Sequence, residues 1–133
     1  MLRKYYPPPE IIPPALVKVK GNVLVIEDDQ DTLEVIGMHL MREGYGVRRV
    51  RLRNEALVVL SRYLYDIILM DLNMPGMGPG EFISAVRKYS PRSKFIVTTA
   101  SEHVELAARK LGVSYWLGKP FTQEDLMEAM RKV

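Results

Sequence analysis

The sequence predicts an α/β domain: a parallel sheet with helices on both faces, and three observations carry that prediction. Apolar runs of strand length alternate five times with amphipathic helical stretches between Asn22 and Val133. The most apolar run, Ile67-Ile-Leu-Met70, is continuous rather than alternating, as a strand buried on both faces requires. It stops on a single acid, Asp71, and Asn73, Pro75, Gly76, Gly78, Pro79 and Gly80 then read as a loop. Strands joined through helices run parallel with right-handed crossovers, so their exits share one edge of the sheet.

The chain has 133 residues, 47% hydrophobic and 26% charged, which suits one domain with a real core. We divide it into a proline-rich N-terminal extension, residues 1–20, and a folded domain, residues 21–133. Cysteine is absent, which removes disulfides and thiolate metal sites and favours an intracellular location. No apolar run approaches the roughly 18 residues of a membrane span, and the N-terminus lacks the apolar segment of a signal peptide. The expected location is the cytoplasm, with no membrane partner. A net charge of +3 is only mildly basic, so direct contact with nucleic acid is not expected.

Five of the nine prolines lie in Tyr5 to Pro14, a run that favours polyproline II. It reads either as a disordered arm or as a docking segment using Tyr5, Tyr6, Ile11 and Ile12. Val17 to Asn22 resembles the start of a hairpin, which is rejected if the next strand is central. That strand is Val23 to Ile26, ending on Glu27-Asp28-Asp29. Asp29 or Asp31 can cap the following helix, whose stripe is Leu33, Ile36, Gly37 and Leu40, and Gly44 ends it. Gly37 allows close approach to the sheet, and His39, off the stripe, reads as solvated.

A second strand spans Val47 to Val50, with Arg48, Arg49, Arg51 and Arg53 around it, charges that protect a sheet edge from unwanted pairing. Asn54 is the expected cap of a helix to about Tyr63, with Ala56, Leu60 and Leu64 inward. After the Asp71 loop comes a helix with the stripe Phe82, Ala85, Val86 and Tyr89, closed by Ser90-Pro91. A fourth strand, Phe95 to Val97, leads into Thr98-Thr99. A helix from Glu102 to Leu111 follows, then a fifth strand, Val113 to Leu117, ending on Gly118-Lys119-Pro120. Thr122 and Asp125 open the last helix as a capping box, with the stripe Leu126, Ala129, Met130 and Val133.

Four strand exits thus carry Glu27 and Asp28, Asp71, Thr99, and Lys119. Each has an ordinary explanation alone: Asp71 or Asp28 as a helix cap, Thr99 as a strand end, Lys119 as a solvated charge. Together they describe something more specific. Three clustered carboxylates repel by a few kcal/mol per pair at an effective dielectric of about 20, and a hard divalent cation relieves this best. Oxygen ligands without sulfur or imidazole point to Mg2+. A metal, a lysine and a hydroxyl around one carboxylate form a cradle for a phosphoryl group.

Through V-L-V-I-E-D-D, Y-D-I-I-L-M-D-L-N-M-P-G-M, I-V-T-T-A and W-L-G-K-P-F the sequence resembles the receiver domain of two-component response regulators, in particular the single-domain receivers of chemotaxis. The resemblance spans Asn22 to Val133. It implies a flavodoxin-like doubly wound (βα)5 fold with strand order 2-1-3-4-5, an order for which a chemotaxis receiver is a standard example. It implies Asp71 as phosphoryl acceptor, Asp28 and Asp71 as Mg2+ ligands, Glu27 acting on the metal mostly through water, and the Asn73 carbonyl as a further ligand. Lys119, with a cis peptide to Pro120, and Thr99 would bond phosphoryl oxygens, and Trp116 takes the place of the family's switch aromatic.

Three departures stand out: Glu27 for the commoner aspartate, the Gly78-Pro79-Gly80 turn one residue longer than usual, and tryptophan at position 116. The implied partners are a histidine kinase or phosphotransfer protein and a downstream protein, met on the face of the fourth helix, fifth strand and fifth helix, which can also pair two chains. The chain is then a signalling phosphoacceptor rather than an enzyme. A hydrolase with an aspartate nucleophile is the first alternative, disfavoured because Asn73 stands where a second catalytic aspartate is usual. The other alternative is a phosphate-independent interaction module.

Overall fold

The computed structural model describes residues 19–133. The proline-rich stretch with Tyr5, Tyr6, Ile11 and Ile12 lies outside the described residues. Strands β1 (Asn22–Ile26), β2 (Gly46–Val50), β3 (Ile67–Asp71), β4 (Lys94–Thr99) and β5 (Tyr115–Gly118) alternate with helices α1 (Gln30–Arg42), α2 (Arg53–Leu60), α3 (Pro79–Tyr89), α4 (Val104–Lys110) and α5 (Gln123–Lys132). The strands form one parallel sheet in the order β2-β1-β3-β4-β5, as the resemblance implied.

The period of two along each strand divides the core into two layers. Val23, Val25, Ile67, Leu69 and Ile96 face α1 and α5, where Leu33, Ile36, Leu40, Leu126 and Met130 cover them. Leu24, Ile26, Ile68, Met70 and Val97 face the other side and pack with Ala56, Leu60, Phe82, Ile83 and Val86. Burial on both faces explains the unbroken apolar runs. Val23 to Ile26 are all fully enclosed, and β1 is central, so the hairpin is excluded.

Local signals set most helix ends. The Asp29 carboxylate accepts the Thr32 N–H at 2.9 Å, and Gly44, at φ 96°, takes the left-handed turn that stops α1. Thr122 and Asp125 make the reciprocal capping box at 3.0 Å in both directions.

Several boundaries differ from the sequence reading: α3 already begins at Pro79, β4 spans Lys94–Thr99, and α4 begins at Val104 rather than Glu102. Asn54 does not cap α2: the helix starts at Arg53, two residues earlier than that cap would place it, and Leu52 occupies the N-cap with no side-chain bond. The helix also ends at Leu60 rather than near Tyr63, where the Ser61 hydroxyl donates to the Val58 carbonyl, so Leu64 lies beyond it and Tyr65 takes the buried place. Val113 is no strand residue. Its N–H donates to the Ala108 carbonyl at 2.9 Å, closing the end of α4, and β5 begins at Tyr115. Among the described residues no helix is long and apolar enough to cross a membrane.

Candidate functional site

Backbone bonding continues past the strand ends and fixes the site residues. Glu27 N–H donates to Val50 O at 3.1 Å, Leu72 N–H to Thr98 O at 2.8 Å, and Lys119 N–H to Thr99 O at 2.8 Å. Since Ile26 pairs with Met70 and Asp71 with Thr98, the residues leaving β1, β3, β4 and β5 emerge side by side. Glu27 is 2% exposed, Asp71 4% and Thr99 2%, so this edge is a buried polar site rather than a solvated rim.

One carboxylate oxygen from each of Glu27, Asp28 and Asp71 lies within 4.8 Å of the others, a set able to hold a metal ion. The Lys119 ammonium bonds Glu27 Oε1 at 2.5 Å and Asp71 Oδ2 at 3.3 Å. The peptide from Lys119 to Pro120 is cis, as the resemblance implied. Glu27 Oε2 accepts the Asp29 N–H at 3.2 Å, and Asp71 Oδ1 accepts the Asn73 N–H at 3.1 Å. Arg51 holds Asp28 in place by donating from Nη2 to its carbonyl at 2.7 Å.

The electrostatics follow from this crowding. Burial pushes the Glu27 carboxyl up, and the charge of Asp71 adds to that, while the bonds from Lys119 and the Asp29 amide only partly oppose it. For Lys119 burial works to lower the pKa. The bond to Glu27 and the charge of Asp71 outweigh it, and the ammonium is held above its ordinary range. The donors are all carboxylate oxygens with one balancing cation, which fits a hard divalent ion and not a soft one.

Thr99 Oγ1 accepts from Asn73 Nδ2 at 2.7 Å and from the Ser101 N–H at 3.2 Å, and among the described residues it donates to nothing. Its proton is therefore available to an incoming acceptor. Trp116 stands apart from the acid cluster. It pairs with Val97 across the sheet and is half-buried against the core, with the Arg109 guanidinium 5.7 Å from its ring centre.

Two side chains were misread from sequence. His39 is half-buried and lines a cavity of about 530 Å³ with Ile36, Ala100, Lys119 and Phe121, its Nδ1 enclosed without a hydrogen-bond partner among the described residues. Arg53 is no edge charge: it is 1% exposed beneath the Asp71 loop. Its position three and seven residues before the buried Ala56 and Leu60 was the available signal.

A sequence profile of the family described as "Response regulator receiver domain" matches residues 23–131. The chain belongs to that family. The receiver aligns at 27% identity over 114 residues with the Bacillus subtilis transcriptional regulatory protein YkoG, covering 84% of this chain and 50% of that protein. The Brucella ovis cell cycle response regulator CtrA is 29% identical over 114 residues, covering 84% and 49% respectively. The chain spans about half the length of the curated relatives it matches. The chemotaxis response regulator CheY4 of Vibrio cholerae superposes with a TM-score of 0.77 at 28% identity, covering 84% of this chain and 96% of that one. TrrA of Thermotoga maritima, solved in complex with Mg2+ and BeF, gives 0.74 at 27%, again with 84% and 96% coverage.

Proposed function

We propose that this receiver accepts a phosphoryl group on Asp71 and signals through the contacts that this modification changes. The observation supporting it most is the convergence of three carboxylates and one lysine at a single sheet edge, with Asp71 at the exit of the central β3. Glu27, Asp28, Asp71 and the Asn73 carbonyl would hold Mg2+, which when bound offsets carboxylate repulsion and the charge of the transferring group. The likeness to the Mg2+–BeF complex of TrrA supports that choice of ion.

In the transfer an Asp71 oxygen attacks phosphorus while the bond to the donor breaks, in phosphohistidine a P–N bond whose electrons return to the imidazole. The product is an acyl phosphate on Asp71. Lys119, already on Asp71 Oδ2, moves its ammonium onto a phosphoryl oxygen, and the undirected Thr99 proton meets another. The donor is a histidine kinase or phosphotransfer protein of the cytoplasm. Output lies on the α4-β5-α5 face, where Trp116 lines a groove of about 560 Å³ with Val104, Gly118 and Ala129. A downstream protein, or a second copy of the chain, meets that face.

Incubation with acetyl phosphate and Mg2+ tests the reading. Intact mass should rise by one phosphate, not without the metal and not in Asp71→Asn. Equal labelling of the Asn variant would overturn it.

A further inference from the structure

Arg53 is the largest fully enclosed side chain among the described residues. Its guanidinium lies under residues 72–78. Nη1 donates to Met77 O at 2.6 Å, Nη2 to Asp71 O at 2.8 Å and Leu72 O at 3.2 Å, and Nε faces Met70 Sδ at 3.4 Å. One planar fork thus grips both ends of the loop that leaves Asp71. No backbone–backbone bond among the described residues ties 73–77 to the rest of the fold, so this grip acts beside the bonds of Asn73 to Asp71 and Thr99 and the packing of Met74 and Met77 on the core.

No carboxylate lies within ion-pair distance of Arg53 among the described residues, an uncommon state for a buried cation. Burial draws its pKa down, and the charges of Asp71 and Asp28 act in the other direction. The loop runs into α3 at Pro79, where Gly78 takes the N-cap with no side-chain bond, so its far end has no side-chain cap of its own.

We propose that Arg53 is a positioning residue for phosphoryl transfer, an internal clamp that fixes the backbone of Asp71 and the loop carrying Asn73. This rests on Asp71 as the phosphoryl acceptor. The Asp71 carbonyl is held by the guanidinium from below while its carboxylate faces the acid cluster above, so the clamp sets the direction from which the nucleophilic oxygen meets phosphorus. Lysine cannot replace it, because a point ammonium lacks the fork that spans carbonyls at both loop ends.

The test compares the parent, Arg53→Lys, which keeps the charge, and Leu60→Ala, which opens a cavity on the same helix away from the loop. Two quantities are measured: the labelling rate at saturating acetyl phosphate and Mg2+, and hydrogen exchange of the Leu72 and Asn73 amides, which donate to Thr98 O and Asp71 Oδ1. Arg53→Lys should label about tenfold or more slowly and exchange these amides faster, since a small misplacement of the nucleophile costs that much. Leu60→Ala should lose stability but keep the parental labelling rate. Parental exchange in Arg53→Lys would overturn the clamp. Faster exchange with a parental labelling rate, or equal slowing in Leu60→Ala, would overturn its part in the transfer. Failure of the parent itself to label would refute the acceptor reading instead, and the exchange result would still decide the clamp.

Discussion

Replacing Lys119 by methionine keeps the aliphatic stem and removes the one cation that, among the described residues, is bonded to both Glu27 and Asp71. Those two side chains are 3% and 5% exposed and Lys119 is 23%, so water compensates little. At 3.3 Å and an effective dielectric of about 20, the lysine attracts Asp71 by about 5 kcal/mol, much of it offset by desolvation. A tighter limit comes from proton uptake, since Glu27 can neutralise itself rather than stay charged. Its ordinary pKa is 4.5, so at pH 7 that uptake costs about 3.4 kcal/mol, at about 1.36 kcal/mol per pH unit. Glu27 is already held above 4.5 in the parent, so the expected loss lies below that limit.

The sign with pH follows from the same limit. Between 4.5 and the raised folded value the native chain keeps a proton that the unfolded chain has released, so stability falls as pH rises through that window. Removing Lys119 widens the window upward, and the deficit of the variant should therefore shrink as pH falls from 7 toward 5. Urea titrations of both proteins without metal at several pH values measure this, and saturating Mg2+ at pH 7 should restore most of the loss. A deficit equal at pH 5 and pH 7 would refute the reasoning.

Asp28→Asn should weaken Mg2+ binding in calorimetry while raising the stability of the metal-free fold, because it deletes a ligand and a repulsion together; unchanged affinity would contradict this. The Asp29 cap is held below its ordinary pKa of 3.8, first by the Thr32 hydroxyl and then by the Thr32 amide. Its contribution is present above that value and lost as pH falls through the lower folded one, so the melting difference between parent and Asp29→Ala should narrow in acid. Gly37→Ala would normally gain about 1 kcal/mol of helix propensity. Here the new Cβ would meet the Arg49 guanidinium, the far end of a flexible side chain that must move aside, so a thermal melt should show less than that gain, and a full gain would disprove the close packing.

What was legible follows from physical periodicity. Strand cores and helix stripes were readable because burial imposes periods of two and 3.6 on residues such as Val23 to Ile26 and Leu33 to Leu40. The site was readable because Asp71, Glu27 and Lys119 sit at strand exits, which parallel topology gathers on one edge. Arg53 was misread because a charge beside an edge strand looks solvent-bound, and its partners are carbonyls of a loop 18 to 24 residues away. The stripe it shares with Ala56 and Leu60 outweighs its charge. His39 was misplaced for a similar reason: its helix position faces outward, but the chain after β5 folds over it with Phe121.

The most direct test of Asp71 as the phosphoryl acceptor is to find where the phosphoryl group sits. Borohydride reduces an acyl phosphate on aspartate to homoserine, and tandem mass spectrometry of the digested, labelled protein reads the position. Homoserine should appear at residue 71 after treatment with acetyl phosphate and Mg2+, and at no other acid. Reduction at Glu27 or Asp28, or a phosphate that resists borohydride while residue 71 stays aspartate, would contradict the account.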